Sequence, residues 1–482
     1  MNITMVGGKK IATNTLVLIL SSLFNFCVSI FTTSTIAKSI GPELYGRYTF
    51  GLTYILLFSV LSNFGVESLF IRESARDNKN IKLMTDILYL KILLAIGTIV
   101  VIIFSVHILN YQQATINVIY VLCIGLFFQI LYESLISIYR SLERMHILAF
   151  LSVVFRTISA VIIVSSVYIG IGFWGIVSAF SVTNALVVGL ILVLINKEFH
   201  ILHFNINPRK WVTIIKQGFP FYASAILTMI YVKINILILS KMVEEREMGF
   251  YMAALALVEN LFVIPTAFNT SIFPAYSRMF GSSVDALKKT YRKITKYLII
   301  LTVAVSIGTI LVGGRIIQLI YGENFISSIP VLKILIFFWV LTFFSQTQSM
   351  LLFSIQKETI QVKIMGLACL ISIVLNPLLI MRYGFIGAAY SSVITEAIIV
   401  TIITIILWKL NLRYKPDYHI LRLGLVVLVM IIAVRMLMQI NIFIAITMGA
   451  ISYFGLLFVM RVFDSEDIFY LKLLFKRQIP TE

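Results

Sequence analysis

Charge is what this sequence has least of, and acid is the scarcer sign. Only 12% of its 482 residues are charged, with 21 acids against 39 bases. Hydrophobic residues make up 60% of the chain and the mean hydropathy is +1.00. That composition excludes a soluble domain and indicates an all-α, polytopic membrane protein. Cysteine is equally sparse. Cys27, Cys123 and Cys369 all fall inside apolar runs, which excludes a disulfide framework or a cysteine metal site. No Walker-type nucleotide motif occurs, so nothing points to direct use of ATP.

What is present is a series of long apolar runs. Fourteen are long enough to cross a hydrocarbon core of about 30 Å. The first seven are Ile11–Lys38, Tyr45–Phe70, Leu83–His107, Thr115–Tyr139, Ile147–Tyr168, Phe173–Asn196 and Val212–Ser240. The second seven are Gly249–Phe273, Tyr291–Val312, Pro330–Phe353, Ile360–Arg382, Phe385–Lys409, Ile420–Met438 and Asn441–Met460. The run from Ile11 to Ile36 is too long for a signal-peptide core and lacks a small-residue cleavage site, so a signal-anchor span is expected.

An even number of spans puts both termini on one side, and basic residues indicate which. With the termini inside, 28 of the 39 Lys and Arg residues lie in inner segments and seven in outer ones. This bias predicts cytoplasmic termini. It also explains the basic loops as topology determinants facing anionic lipid, without nucleic-acid binding.

The chain carries a diverged duplication. Gly249-Phe250-Tyr251 repeats Gly46-Arg47-Tyr48, and Ser354-Ile355-Gln356-Lys357 repeats Ser141-Leu142-Glu143-Arg144. Gly384-Phe385-Ile386-Gly387 repeats Gly172-Phe173-Trp174-Gly175. The three pairs sit at equivalent places in the span order. Two six-span halves of the same orientation are expected, residues 1–200 and 201–412, with two further spans and a cytoplasmic tail in 413–482. Parallel repeats of this kind are a transporter architecture.

Motifs then point to a family. They include S-I-G-P-E-L-Y-G-R-Y-T-F (Ser39–Phe50), N-F-G-V-E-S-L-F-I-R-E-S-A (Asn63–Ala75) and G-F-Y-M-A-A-L-A-L (Gly249–Leu257). Further on come F-N-T-S-I-F-P-A-Y-S-R (Phe268–Arg278), I-Y-G-E-N-F (Ile320–Phe325) and L-N-P-L-L-I-M-R-Y-G-F-I-G-A-A (Leu375–Ala389). Over residues 10–410 the chain resembles the multidrug/oligosaccharidyl-lipid/polysaccharide (MOP) exporter superfamily. Within it, the chain resembles the polysaccharide transporter branch, the Wzx-type O-antigen flippases. The resemblance implies two six-helix lobes around a central cavity lined chiefly by spans one, two, seven and eight. It also implies a cargo, an undecaprenyl-pyrophosphate-linked oligosaccharide carried from the inner to the outer leaflet of the cytoplasmic membrane. The drive is expected from an H⁺ or Na⁺ gradient or from consumption of the product outside, and a polysaccharide polymerase and a chain-length regulator are candidate partners. No cofactor is expected.

Ionisable residues inside apolar runs are the candidate site, because burying a charge in lipid is costly. Lys233 and Glu259 lie at similar depth. They form either a neutralising pair or a cavity site in which Lys233 meets phosphate or sugar hydroxyls and Glu259 binds the coupling cation. Arg156 and Glu133 present the same choice, and an arginine fork suits pyrophosphate. Lys91 is a further candidate substrate contact and Glu396 a further candidate for ion coupling, although the resemblance places their helices away from the cavity. Glu67 and Arg435, near span ends, are expected to snorkel. Pro265 is expected to kink the eighth span. His200 and His203 sit in an inner loop without metal-ligand spacing.

Two rival classes are weighed. A membrane polymerase or glycosyltransferase needs acids or bases on the outer face. Asp77, Asp86, Asp285, Asp417, Asp464 and Asp467 all fall on the inner side of this topology, and the outer loops are short. A multidrug or cation exporter of the same fold is the alternative, opposed by the polysaccharide-branch motifs and by the Lys and Arg candidates.

Overall fold

The computed structural model describes residues 2–67, 70, 81–142, 144–199, 208–282, 284–413, 419–460 and 462. His200, His203, Asp77, Asp417, Asp464 and Asp467 lie outside them. Every regular element among the described residues is helical. The first seven helices are α1 (Asn2–Ser59), α2 (Ile81–Ile108), α3 (Gln113–Ser141), α4 (Met145–Tyr168), α5 (Phe173–Phe199), α6 (Pro208–Met242) and α7 (Glu245–Asn260). The rest are α8 (Val263–Ser282), α9 (Val284–Tyr321), α10 (Ser328–Ser354), α11 (Glu358–Tyr383), α12 (Phe385–Lys409), α13 (His419–Leu437) and α14 (Ile442–Val459).

Eleven helical stretches among the described residues are long and apolar enough to cross a membrane. One of them, Leu20–Ser62, is 43 residues long and carries most of two expected spans. Spans one and two are fused into α1, which bends at Gly41 (φ 72°, ψ 178°) immediately before Pro42. Only glycine adopts that backbone readily, and proline then restarts a helix. Apolar side chains point outward along the helices, with Phe104 68%, Met436 69% and Val459 76% exposed. Such faces are stable against lipid.

The eighth span departs from expectation. It is not kinked at Pro265 but broken at Leu261–Phe262, into α7 and α8. Pro265 therefore stands in the first turn of α8, where a missing N–H costs little. The Leu261 carbonyl accepts from the Ile264 N–H instead.

The paired motifs also share local backbone features. Gly172 and Gly384 both take positive φ, 69° and 59°, and each immediately precedes a helix, α5 and α12. Helices α3 and α10 end at the repeat-related Ser141 and Ser354. Gly46 and Gly249 lie against each other. A Cβ on Gly46 would run into the backbone of Glu245 and Gly249, and one on Gly249 would run into the Pro42 carbonyl. Small residues at such crossings let helix backbones approach closely.

The chain divides into two compact units. The first comprises Met1–Met252, Ile320–Asn324 and Ser372–Phe385, and the second comprises Ala253–Leu319, Phe325–Ile371 and Ile386–Glu482. In the first, Leu131 and Leu135 of α3, Leu151 of α4 and Val187 and Ile191 of α5 form a core with Ile87 of α2 and Ile214 of α6. In the second, α13 and α14 pack on α9 through Ile300, Val426, Met430, Val434 and Leu457. The Tyr453 hydroxyl ties α14 to α9 by donating to the Ile300 carbonyl at 2.7 Å.

Candidate functional site

Helix α1 does not continue through the second expected span. It ends at Ser59, tightens into a 3-10 turn over Val60–Ser62, and turns through Phe64 (φ 42°) and Gly65 (φ 68°). Phe64 holds this uncommon conformation with its ring stacked on Tyr222 of α6, centroids 4.3 Å apart. Irregular backbone at membrane depth is tolerated where it is enclosed by protein or lines a cavity. Here it lines one. A cavity of about 580 Å³ in the first unit is walled by the Ser59–Glu67 turn, Lys91 of α2, Gln129 and Glu133 of α3, and Met229 and Val232 of α6.

The charges on this wall are arranged by cost. Lys91 Nζ lies 2.7 Å from Glu67 Oε1, with side chains only 2% and 15% exposed. Glu67 therefore does not snorkel. The turn carries it inward to a buried ammonium, and pairing offsets the desolvation of both. Glu133 does not pair with Arg156. Its cation is Arg140, two turns along the same helix, at 3.6 Å. The side-chain oxygens of Asn63 and Gln129 are buried on the wall without a hydrogen-bond partner.

Of the candidate residues, Lys91 and Glu133 come together here and the others lie elsewhere. Arg156 sits half-buried on α4. Lys233, half-buried on α6, follows the wall residue Val232. Glu259 is exposed in the last turn of α7, in the second unit. Glu396, 2% exposed on α12, accepts a hydrogen bond from Ser345 Oγ of α10. Around it runs a buried polar layer. Thr347 donates to Asn269 Oδ1 at 2.9 Å, and Gln348 Nε2 donates to Thr404 Oγ1 at 3.0 Å. Its signal in sequence is the polar run Ser345–Ser349 inside an apolar span.

A second constellation sits beside the Gly46–Gly249 crossing. Arg47 lies 2.5 Å from Glu245 Oε2, and Thr115 Oγ1 donates to Glu245 Oε1 at 2.5 Å. These residues edge a crevice of about 90 Å³ that also includes Tyr111 and Ser240. Lys241 Nζ lies 3.3 Å from the centre of the Tyr111 ring. Burial pushes the Tyr111 phenol up to about 12, opposed by its hydrogen bond with Ser240. Burial likewise lowers Lys241. Arg47 belongs to a motif segment and Glu245 lies four residues before another, and their pairing is invisible until the two helices cross.

Comparison with known proteins gives this geometry a context. Residues 11–280 match the profile of the polysaccharide biosynthesis protein family. A candidate O-antigen transporter of Shigella flexneri is 24% identical over 386 residues, covering 74% of this chain and 88% of that protein. Among solved structures, the lipid II flippase MurJ in an inward closed conformation superposes with a TM-score of 0.74 at 15% identity. That match covers 95% of this chain and all of MurJ. An inward-facing multidrug resistance MATE transporter of the MOP superfamily gives a TM-score of 0.66 at 14% identity, covering 80% of this chain and 95% of that one. The chain thus belongs to the polysaccharide biosynthesis protein family, as a multi-pass membrane protein with the fold of the MOP transporters.

Proposed function

We propose that the chain is a flippase. It carries an undecaprenyl-pyrophosphate-linked oligosaccharide repeat unit, of O-antigen or similar surface polysaccharide, from the inner to the outer leaflet of the cytoplasmic membrane. Membership of the polysaccharide biosynthesis family over more than half the chain is the observation that carries this reading. The named role of the Shigella flexneri relative and the lipid-flippase fold neighbour agree with it. Transport proceeds by alternating exposure of the head group to the two faces, with the polyprenyl tail remaining in lipid. No bond is broken.

Arg156 and Lys233 are proposed to meet the pyrophosphate, because an ionisable residue inside a membrane helix is a functional-site candidate. An ion gradient supplies the drive, and one charge crossing 100 mV yields ~2.3 kcal/mol. The two six-span halves, 1–200 and 201–412, are the units that repeat, with spans thirteen and fourteen appended.

The test is gene deletion followed by identification of the lipid-linked repeat unit that accumulates, then complementation. The intact gene and Arg156→Lys are expected to restore surface polysaccharide, the latter in part, while Arg156→Ala restores none at equal membrane abundance. Deletion without accumulation of any lipid-linked sugar would remove the flippase reading.

A further inference from the structure

We propose that the cavity beside Lys91 is a recognition subsite for a neutral, hydroxyl-rich sugar of the head group, and that it excludes phosphate and acidic sugars. The inference rests on the flippase reading and adds to it a chemical division of labour.

Size comes first. About 580 Å³ is sugar-sized rather than ion-sized, within the roughly 300–1,000 Å³ range of small-molecule pockets. Polarity comes second. Asn63 Oδ1 and Gln129 Oε1 are buried acceptors without a donor. The Ser59 and Ser62 hydroxyls already donate to the backbone carbonyls of Leu56 and Ser59, so what they offer a ligand is lone pairs. Glu133 adds a carboxylate, and its cation Arg140 is not part of the wall. A wall of acceptors wants donors, and a pyranose supplies several O–H groups on a compact ring.

Charge comes third. Among the described residues the wall holds one ammonium, Lys91, against two carboxylates, Glu67 and Glu133, and the ammonium is engaged by Glu67 at 2.7 Å. An approaching phosphate or uronic acid would meet net like charge in a low-dielectric setting, and like charges repel strongly there. The apolar remainder, including Leu126 and Met229, suits the C–H face of a sugar ring.

The test uses the purified full-length protein and native mass spectrometry with three probes. They are bare undecaprenyl pyrophosphate, the same lipid bearing a neutral disaccharide, and the same lipid bearing a disaccharide with one glucuronic acid. The neutral disaccharide is expected to tighten binding about tenfold over the bare lipid, and the acidic one not at all. Gln129→Met, close in volume, is expected to lose most of that increment while binding bare lipid normally, which doubles as the folding control. Gln129→Glu, which keeps an acceptor, is expected to retain it. An undiminished increment in Gln129→Met, or acidic sugar bound as tightly as neutral, overturns the subsite and leaves the flippase reading standing. Failure of the wild-type protein to bind any of the three lipids overturns the flippase reading itself.

Discussion

Lys91 and Glu67 neutralise each other where neither could stand alone. Lys91→Met leaves a carboxylate buried without a partner, which costs about 3–5 kcal/mol. The double variant Lys91→Met with Glu67→Gln removes both charges, and most of that stability is expected to return. Thermal unfolding of the purified variants in detergent checks this, and a single variant as stable as the wild type would refute it. Lys91 was legible in the sequence as a charge inside an apolar run. Its partner was not, because the depth of Glu67 depends on the turn at Phe64 and Gly65, which a hydropathy pattern averages away. Glu133 and Arg156 show the opposite limit. Equal depth suggested a pair, but Arg140 lies seven residues along the same helix, two turns on, and it is the cation within reach.

At the scale of helices, the Gly46–Gly249 crossing sets how close α1 and α7 lie. A methyl group on Gly249 has no room beside the Pro42 carbonyl, so Gly249→Ala must push the helices apart, at about 1–3 kcal/mol. The Arg47–Glu245 contact spans the same crossing and loosens with it. Gly97 of α2 is the control. Nothing lies within 4 Å of its added Cβ, and Gly97→Ala is expected to hold or raise the unfolding midpoint. Equal midpoints for the two variants would show that the crossing is not tight. Most helix limits were readable to within a few residues because apolar runs announce them, but α1 starts nine residues early, and α8 and α9 each run nine residues past the expected end. The interruptions were not. Helix α1 stops at Ser59 after Gly46, and α7 stops at Asn260 after Gly249, so a break follows each of the two glycines. Neither break carries a charge, and Pro265 marks the wrong residue because it begins the next helix instead of ending the last. Asn63-Phe64-Gly65 was the one available signal, a turn-forming pair inside an apolar stretch.

For the whole molecule, the distribution of Lys and Arg makes a prediction about sidedness. In a background with Cys27, Cys123 and Cys369 replaced, single cysteines at the exposed Gln112 and Ile440 are expected to react with an impermeant thiol reagent added outside intact cells. Cysteines at the exposed Lys357 and Asn411 are expected to react only after the membrane is opened. The reverse pattern would invert the topology. The proposed repeat has a consequence of a different kind. Under it Gly46 and Gly249 are the same position in two copies, and they touch, so the contact would be a residue meeting its own image. Such self-contacts are what a two-fold axis creates between identical subunits. An ancestor with one copy per chain would have made this contact between two chains. Its single glycine would have served both sides, and a change there would have struck twice. Fusion would have given each side its own codon, yet neither glycine is released, since a side chain on either one collides with backbone at the crossing.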